Sequence, residues 1–118
     1  MSRILVIDDD AMILKMAGFL LKKQGHEAVT AANGSDGAAI AAGENPQMAF
    51  IDVEMPGKNG FETLADIKRA CPSMPVFMMT GTLDDEVRRK AAELGALGCI
   101  NKPLQAPQVI GALQKAGV

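Results

Sequence analysis

Carboxylate side chains follow two apolar segments of the sequence, at the point where each segment ends. Three consecutive aspartates, residues 8–10, come directly after residues 4–7, and Asp52 comes directly after residues 48–51. Several carboxylates in one cleft repel each other and raise each other's pKa values unless a cation neutralises them. Magnesium prefers oxygen ligands of this kind and keeps several waters. The acids therefore predict a Mg²⁺ site, provided that the fold brings them together.

Two further polar side chains stand at the ends of later apolar segments. Thr80 follows residues 76–79, and Lys102 comes soon after residues 97–100. A hydroxyl donor and a fixed cation suit the negative charge that spreads over a phosphoryl group during transfer. The residues alone leave three roles open for Asp52, which are a further metal ligand, a general base, and a nucleophile that attacks phosphorus. The whole set predicts a phosphoryl site with a metal.

Each of these residues also has an ordinary structural interpretation. An acid after a strand is often a helix cap or a turn residue, and we interpret Asp10 as the cap of the first helix. Lys102 precedes a proline and could lie in a surface turn, while Thr80 precedes a glycine and could satisfy a loop amide. The shared position at segment ends favours a joint site.

Apolar segments alternate with segments of helical spacing along the chain. Four apolar segments lack polar alternation, which is typical of strands buried on both faces: residues 4–7, 48–51, 76–79 and 97–100. A weaker candidate, residues 27–31, lies second in sequence. The alanine-rich segment 33–43 predicts a helix capped by Asn33 or Ser35 and ended by Gly43. The pattern predicts five βα units, folded as an open parallel sheet with helices on both faces and ligands at the carboxyl ends of the strands.

Length and composition exclude several classes of protein. At 118 residues the chain fits one domain, residues 1–118, and its net charge of −2 argues against direct nucleic-acid binding. Cys71 and Cys99 have no CxxC spacing, so we expect free thiols and no zinc site. The acidic turn after a short apolar start argues against a signal peptide or membrane span, and we expect a cytoplasmic protein. We interpret the methionines, including residues 12–16 and 78–79, as core residues.

Four motifs resemble the receiver domains of bacterial response regulators, the phosphoacceptors of two-component signalling, in a chemotaxis-regulator-like form. Residues 5–10, LVIDDD, are similar to the family's acidic turn, and residues 52–57, DVEMPG, with Gly60 are similar to its phosphoacceptor loop. Thr80 and the Lys102-Pro103 pair complete the set. The resemblance covers essentially the whole chain and implies a flavodoxin-like (βα)5 doubly wound parallel sheet with strand order 2-1-3-4-5.

The resemblance also implies a role for each site residue. Asp52 would take a phosphoryl group from the phosphohistidine of a sensor histidine kinase or a phosphotransfer protein. The protein would be a signalling phosphoacceptor that catalyses its own phosphorylation and dephosphorylation, not a conventional enzyme. Lys102 would pair with Asp52 at rest and with the phosphoryl group afterwards, Thr80 would donate to a phosphoryl oxygen, and the bond before Pro103 would be cis. The implied Mg²⁺ ligands are Asp9 and Asp52 directly, Asp8 mainly through water, and the main-chain carbonyl of Glu54.

The sequence departs from the common family pattern at positions that bear on output. Cys99 stands where the family usually has an aromatic switch residue, and Gly81 stands where it usually has alanine. A thiol cannot sweep out the volume of an aromatic ring, so we expect output to depend on movement of the loop of residues 81–84. Glu54 and Thr82 occupy two positions that tune hydrolysis in the family. We hypothesise that Glu54 competes for Lys102 or alters water access, and so sets the lifetime of the phosphorylated state.

Phosphorylation is expected to switch the conformation and to regulate a downstream protein target or a fused output domain. The expected contact surface is the fourth helix, fifth strand and fifth helix. Two alternatives remain at this point. One is a haloacid-dehalogenase-like phosphatase with Asp8 as nucleophile, although Ala11 replaces the usual Thr or Val and no second acid pair follows Lys102. The other is a receiver-fold interaction module that takes no phosphate.

Overall fold

The structure, a computed structural model that describes residues 2–118, is a parallel sheet with helices on both faces. The strands are Arg3–Ile7 (β1), Glu27–Ala31 (β2), Met48–Asp52 (β3), Val76–Thr80 (β4) and Gly98–Asn101 (β5). The helices are Ala11–Lys23 (α1), Gly34–Glu44 (α2), Gly60–Ala70 (α3), Asp85–Glu93 (α4) and Ala106–Ala116 (α5). All strand pairs are parallel in the order β2-β1-β3-β4-β5, which confirms the predicted fold.

The central strands are buried on both faces, as their continuous apolar sequence predicts. Every residue of β3 and of β4 is buried. One layer of the core packs beside α3 and contains Leu5, Ile7, Ile51, Met78, Leu64 and Ile67. The other layer packs beside α1 and α5 and contains Ile4, Val6, Phe50, Met79, Leu21 and Leu113. The side chains of alternate residues in each strand point into opposite layers of the core, so the direction of the side chain at every strand end is fixed.

The predicted core position of the first methionines is wrong. Met12 and Met16 are 68% and 41% exposed, whereas the methionines at 78–79 are fully buried as expected. The face of α1 that packs on the sheet is formed by Ala17 and Leu21, which are buried. Met12 and Met16 lie on the outer side of that helix. The spacing of apolar residues in the sequence does not reveal that they are exposed.

The second helix begins as predicted but ends later. The Asn33 side chain accepts a hydrogen bond of 2.8 Å from the Asp36 N–H, so Asn33 rather than Ser35 is the cap. The helix continues through Gly43 to Glu44 and is capped by Asn45, which has a left-handed φ of 48°. Asparagine adopts this conformation more readily than most residues with a side chain, so Asn45 rather than Gly43 caps the end of the helix.

The fifth strand is shifted by one residue from the predicted segment. Leu97 lies outside it and is 40% exposed, while Asn101 pairs in register with Thr80. This register places Lys102 just past the end of β5, beside the end of β4. None of the helices in residues 2–118 combines the length and apolar character that crossing a membrane requires.

Candidate functional site

Three carboxylates meet where β1 and β3 end. Asp8 comes directly after β1, Asp52 is the last residue of β3, and Ile7 pairs with Ile51 in register, so the two strand ends are level. Ligand oxygens of Asp8, Asp9 and Asp52 lie within 4.8 Å of one another. Asp8 and Asp52 are buried, at 0% and 2% exposure, and Asp9 is exposed. The pocket therefore has two acids in its floor and one at its mouth.

Backbone hydrogen bonds fix the acidic turn. The Asp8 N–H donates to the Ala31 carbonyl at 3.1 Å, and Asp8 Oδ1 accepts from the Asp10 N–H at 2.9 Å. Asp10 Oδ1 in turn accepts from the Met12 N–H at 2.9 Å, so Asp10 caps α1 as predicted. The third aspartate of the run is thus used by the helix, and the cluster consists of the other two with Asp52.

The end of β3 is held by its neighbours at short range. The Val53 N–H donates to the Met79 carbonyl at 2.8 Å, and the Gly60 N–H donates to the Val53 carbonyl at 3.0 Å. A Cβ atom at Gly60 would lie 2.7 Å from the Val53 Cα and closer still to the Asp52 carbonyl oxygen. Only glycine allows α3 to begin this close to the strand end, so Gly60 positions Asp52.

Lys102 places a cation between the two buried acids. Its Nζ lies 2.8 Å from Asp8 Oδ2 and 3.1 Å from Asp52 Oδ1, and its side chain is 19% exposed. The Lys102 N–H donates to the Thr80 carbonyl at 2.8 Å, and the Lys102–Pro103 peptide bond is cis. Burial lowers the pKa of Lys102, but the hydrogen bonds that its ammonium group donates to Asp8 and Asp52, together with the negative charges of these acids, outweigh burial and raise the pKa. The ammonium group is therefore charged at neutral pH.

The pocket has more negative charge than Lys102 neutralises. Burial raises the pKa of Asp52 to about 6, and the Asp8 charge adds to this effect, while hydrogen bonds from Lys102 and the Glu54 N–H oppose it. Asp8 Oδ2 is buried and has no aligned hydrogen-bond donor within residues 2–118, although Lys102 Nζ is near. An oxygen-only set of ligands whose negative charge exceeds that of the one lysine fits a hard divalent cation such as Mg²⁺.

Thr80 and Glu54 form a contact that no pattern in the sequence predicts. Thr80 is fully buried at the end of β4, and its Oγ1 donates to Glu54 Oε1 at 2.5 Å. The Thr82 N–H donates to the same hydroxyl oxygen at 3.1 Å. Lys102 pairs with the aspartates, so Glu54 contacts a different site residue from the one hypothesised. No spacing rule links positions 54 and 80, which only the sheet order brings together.

The remaining positions with a predicted tuning role surround the site. Gly81 is exposed and a Cβ atom there would meet nothing within 4 Å, so no close contact requires glycine. Thr82 and Pro103 are also exposed. Cys99 is half-buried in β5 beside Met78, and burial raises the pKa of its thiol. The thiol is therefore mainly protonated at neutral pH.

A groove lies beside Cys99, on the side of the sheet where α4 packs. It has a volume of about 320 Å³, and its lining includes Phe77, Ala91, Leu97 and Cys99.

An open parallel sheet of this order, with acids, a lysine and a threonine along its carboxyl edge, defines the receiver class of signalling domains. The sequence profile of the response regulator receiver domain matches residues 4–114, and the chain belongs to that family. The family role is that of a phosphoacceptor in two-component signalling, and receiver domains generally bind Mg²⁺ at an acidic pocket. The resemblance noted from the motifs is thereby confirmed.

Individual relatives agree with this assignment. The chain is 34% identical over 114 residues to the transcriptional regulatory protein CpxR homolog of Haemophilus influenzae, but it spans only 49% of that protein's length. Protein PilH of Pseudomonas aeruginosa is 34% identical over 107 residues, with 88% of each chain covered. The structure of the chemotaxis protein CheY4 of Vibrio cholerae has a TM-score of 0.92, with 28% identity and 98% coverage of both chains.

Proposed function

We propose that Asp52 is the residue that accepts the phosphoryl group, from a histidine kinase or a phosphotransfer protein, in a Mg²⁺-dependent reaction. The observation that carries this proposal is the position of Asp52: it is the buried acid at the end of β3, with a ligand oxygen within 4.8 Å of those of Asp8 and Asp9 and with Oδ1 3.1 Å from Lys102 Nζ. Asp52 also pairs in register with Met79 of β4, so Thr80 is the next residue along the neighbouring strand. A phosphoryl group on Asp52 would therefore have a cation and a hydroxyl donor within reach.

The contacts of the Asp52 carboxylate support the choice of one of its two oxygens as the nucleophile. Lys102 Nζ and the Glu54 N–H both contact Oδ1, at 3.1 Å and 3.3 Å. Oδ2 is therefore the oxygen that we assign to the attack on phosphorus. As the new O–P bond forms, the P–N bond of the phosphohistidine breaks and its electron pair returns to the imidazole nitrogen. Lys102 then neutralises charge on the transferred group.

Asp9 and Asp52 would hold Mg²⁺ directly, Asp8 would do so mainly through water, and the Glu54 main-chain carbonyl would add a fourth protein oxygen. The bound ion would neutralise the acids and the incoming phosphoryl oxygens. Burial of Asp8 and Asp52 keeps their carboxylates in fixed positions, whereas exposed Asp9 leaves the mouth open to water and to the donor. The same pocket would support autocatalysed phosphorylation and dephosphorylation.

The fraction of each relative's length that the chain matches bears on the domain organisation of the whole protein. We infer that residues 1–118 form one receiver domain, which acts either alone on a target protein or with an attached output domain. PilH is matched over 88% of its length and the CpxR homolog over 49%, so both arrangements occur among relatives. Free thiols at Cys71 and Cys99 suit the cytoplasm, which is where we place the protein.

Intact-mass analysis after incubation with a small-molecule phosphodonor and Mg²⁺ tests the assignment of Asp52. We expect the wild type to gain one phosphoryl group, and to gain none when EDTA removes the metal. Asp52→Asn should gain none, whereas Asp66→Asn, a change at a surface ion pair with Lys58, should match the wild type. A single phosphoryl group on Asp52→Asn would show that another residue is the acceptor. Phosphate on Asp8 would instead support the phosphatase alternative.

A further inference from the structure

The hydroxyl of Thr80 has one proton to donate and is fully buried. Two oxygen atoms lie within reach of that proton, Glu54 Oε1 at 2.5 Å and the Thr82 carbonyl at 3.3 Å. The shorter contact is to a carboxylate, and hydrogen bonds to ionised acceptors are both shorter and stronger than neutral ones. The single proton is therefore committed to Glu54.

A second contact fixes the orientation of this hydroxyl. The Thr82 N–H donates to Thr80 Oγ1 at 3.1 Å, so the backbone after β4 occupies one lone pair of the oxygen. The Glu54 main chain is fixed as well, because its N–H donates to Asp52 Oδ1 at 3.3 Å. The Glu54–Thr80 contact thus joins the loop after β3 to the loop after β4, across the mouth of the pocket.

A phosphoryl group on Asp52 and the Glu54 carboxylate would require the same donor. Both are anionic acceptors, and Thr80 has only one proton. The phosphoryl group would also repel the Glu54 carboxylate at close range. Glu54 is an exposed residue, so its side chain can turn toward solvent without opening the core.

We propose that Glu54 is a latch: its carboxylate holds the Thr80 hydroxyl while Asp52 is unphosphorylated, and it opposes phosphorylation by competing with the phosphoryl group for that donor. This inference rests on the proposed function, because the competitor is a group attached to Asp52. Glu54 is a positioning residue in this scheme, since it acts through Thr80. By linkage, a phosphoryl group that captures the hydroxyl also releases the Glu54 side chain.

A double-mutant cycle with a phosphoryl mimic tests the latch. Beryllium fluoride is titrated at saturating Mg²⁺, and its apparent Kd is compared between wild type, Glu54→Ala, Thr80→Val and the double variant. Valine keeps the shape of threonine without the hydroxyl, and alanine at 54 keeps the main-chain carbonyl. We expect Glu54→Ala to bind the mimic on the order of 10-fold more tightly than wild type, the size expected for loss of a charged hydrogen bond. In the Thr80→Val background the same change should alter Kd by less than about threefold.

Glu54→Gln separates the latch from simple charge repulsion. Glutamine is neutral but still offers an acceptor oxygen to Thr80, so the latch predicts a gain in affinity smaller than that of Glu54→Ala. An equal gain for both variants that persists in the Thr80→Val background would show repulsion alone and overturn the proposal. So would an unchanged Kd for Glu54→Ala. Wild type that stays folded yet binds no mimic would overturn the proposed function together with the latch, whereas the other outcomes affect the latch alone.

Discussion

Lys102 Nζ lies closer to Asp8 Oδ2, at 2.8 Å, than to Asp52 Oδ1, at 3.1 Å. Lys102 is therefore bound to the acidic turn as well as to the proposed phosphoacceptor. When Asp52 is modified, the contact with Asp8 can keep the ammonium group in the pocket. In the metal-free protein, this ammonium group is the main positive charge that offsets the negative charges of the two buried carboxylates.

Removal of Lys102 should destabilise the metal-free protein, because it leaves two buried acids without their cation. We expect Lys102→Ala to lower the free energy of unfolding by about 2 kcal/mol at neutral pH in EDTA, measured by urea denaturation. The loss should shrink when Mg²⁺ is added, since the ion neutralises the same acids. Lys58→Ala removes a more exposed ion pair with Asp66, which solvent screens, and should lower stability much less than Lys102→Ala does. Equal losses for the two variants would contradict this account.

The Asp52 carboxyl should make the stability of the metal-free protein depend on pH. Burial raises its pKa from 3.8 to about 6, so the folded state binds this proton more tightly than the unfolded state does. Its contribution to stability is complete below about pH 4 and is lost as the pH rises through about 6. Asp52→Asn is neutral throughout, so in EDTA it should be more stable than wild type by on the order of 2 kcal/mol at about pH 8, and no more stable near pH 4.

Asp66 provides a control whose pKa is shifted in the opposite direction from that of Asp52. A hydrogen bond from Lys58 is the main reason that the pKa of Asp66 lies below its usual value. Its contribution to stability is therefore present at neutral pH and is lost in acid. Asp66→Asn should not be more stable than wild type at high pH. If urea denaturation gave Asp52→Asn the same sign as Asp66→Asn, burial would not be the dominant influence on Asp52.

Substitutions at the adjacent residues Asp9 and Asp10 should have separate effects, one on metal binding and the other on helix capping. Asp9 is exposed and belongs to the carboxylate cluster, whereas Asp10 caps α1 through the Met12 N–H. We expect Asp9→Ala to weaken Mg²⁺ binding at least about 10-fold with little change in stability. Asp10→Ala should lose about 1 kcal/mol of stability and keep most of the Mg²⁺ affinity. Isothermal titration and urea denaturation measure the two effects, and a reversal of the pattern would mean that the roles are assigned wrongly.

Features that depend on continuous sequence could be predicted, and the sheet is the clearest case. Central strands that are buried on both faces must be apolar throughout, so the bounds of β3 and β4 could be predicted to within one residue. The Asn59 side chain and Glu62 form the capping box that opens α3, a signal that is local by nature. The gathering of Asp8 and Asp52 at one edge followed from the parallel order of the strands.

Features that depend on three-dimensional contacts could not be predicted in this way. The exposure of Met12 depends on which face of α1 the sheet covers, and its spacing alone did not reveal that face. The end of α2 at Glu44 depends on a left-handed C-cap residue, Asn45, that need not be glycine. The Glu54–Thr80 hydrogen bond joins residues 26 positions apart through side-chain rotamers, which no local pattern specifies.

The close approach of α3 to the end of β3 should make Gly60 intolerant of any side chain. A Cβ there would lie 2.7 Å from the Val53 Cα, and backbone atoms cannot yield as a flexible side chain can. We expect Gly60→Ala to lose roughly 2 kcal/mol or more of stability and to slow phosphorylation, because Asp52 shifts with its strand end. Gly111, in α5, is exposed with nothing within 4 Å of its Cβ position, so Gly111→Ala should gain roughly 0.5–1 kcal/mol and phosphorylate at the wild-type rate. Urea denaturation and intact-mass time courses measure both properties. A Gly60→Ala protein with wild-type stability and rate would show that α3 can move away from β3 and does not position the acceptor.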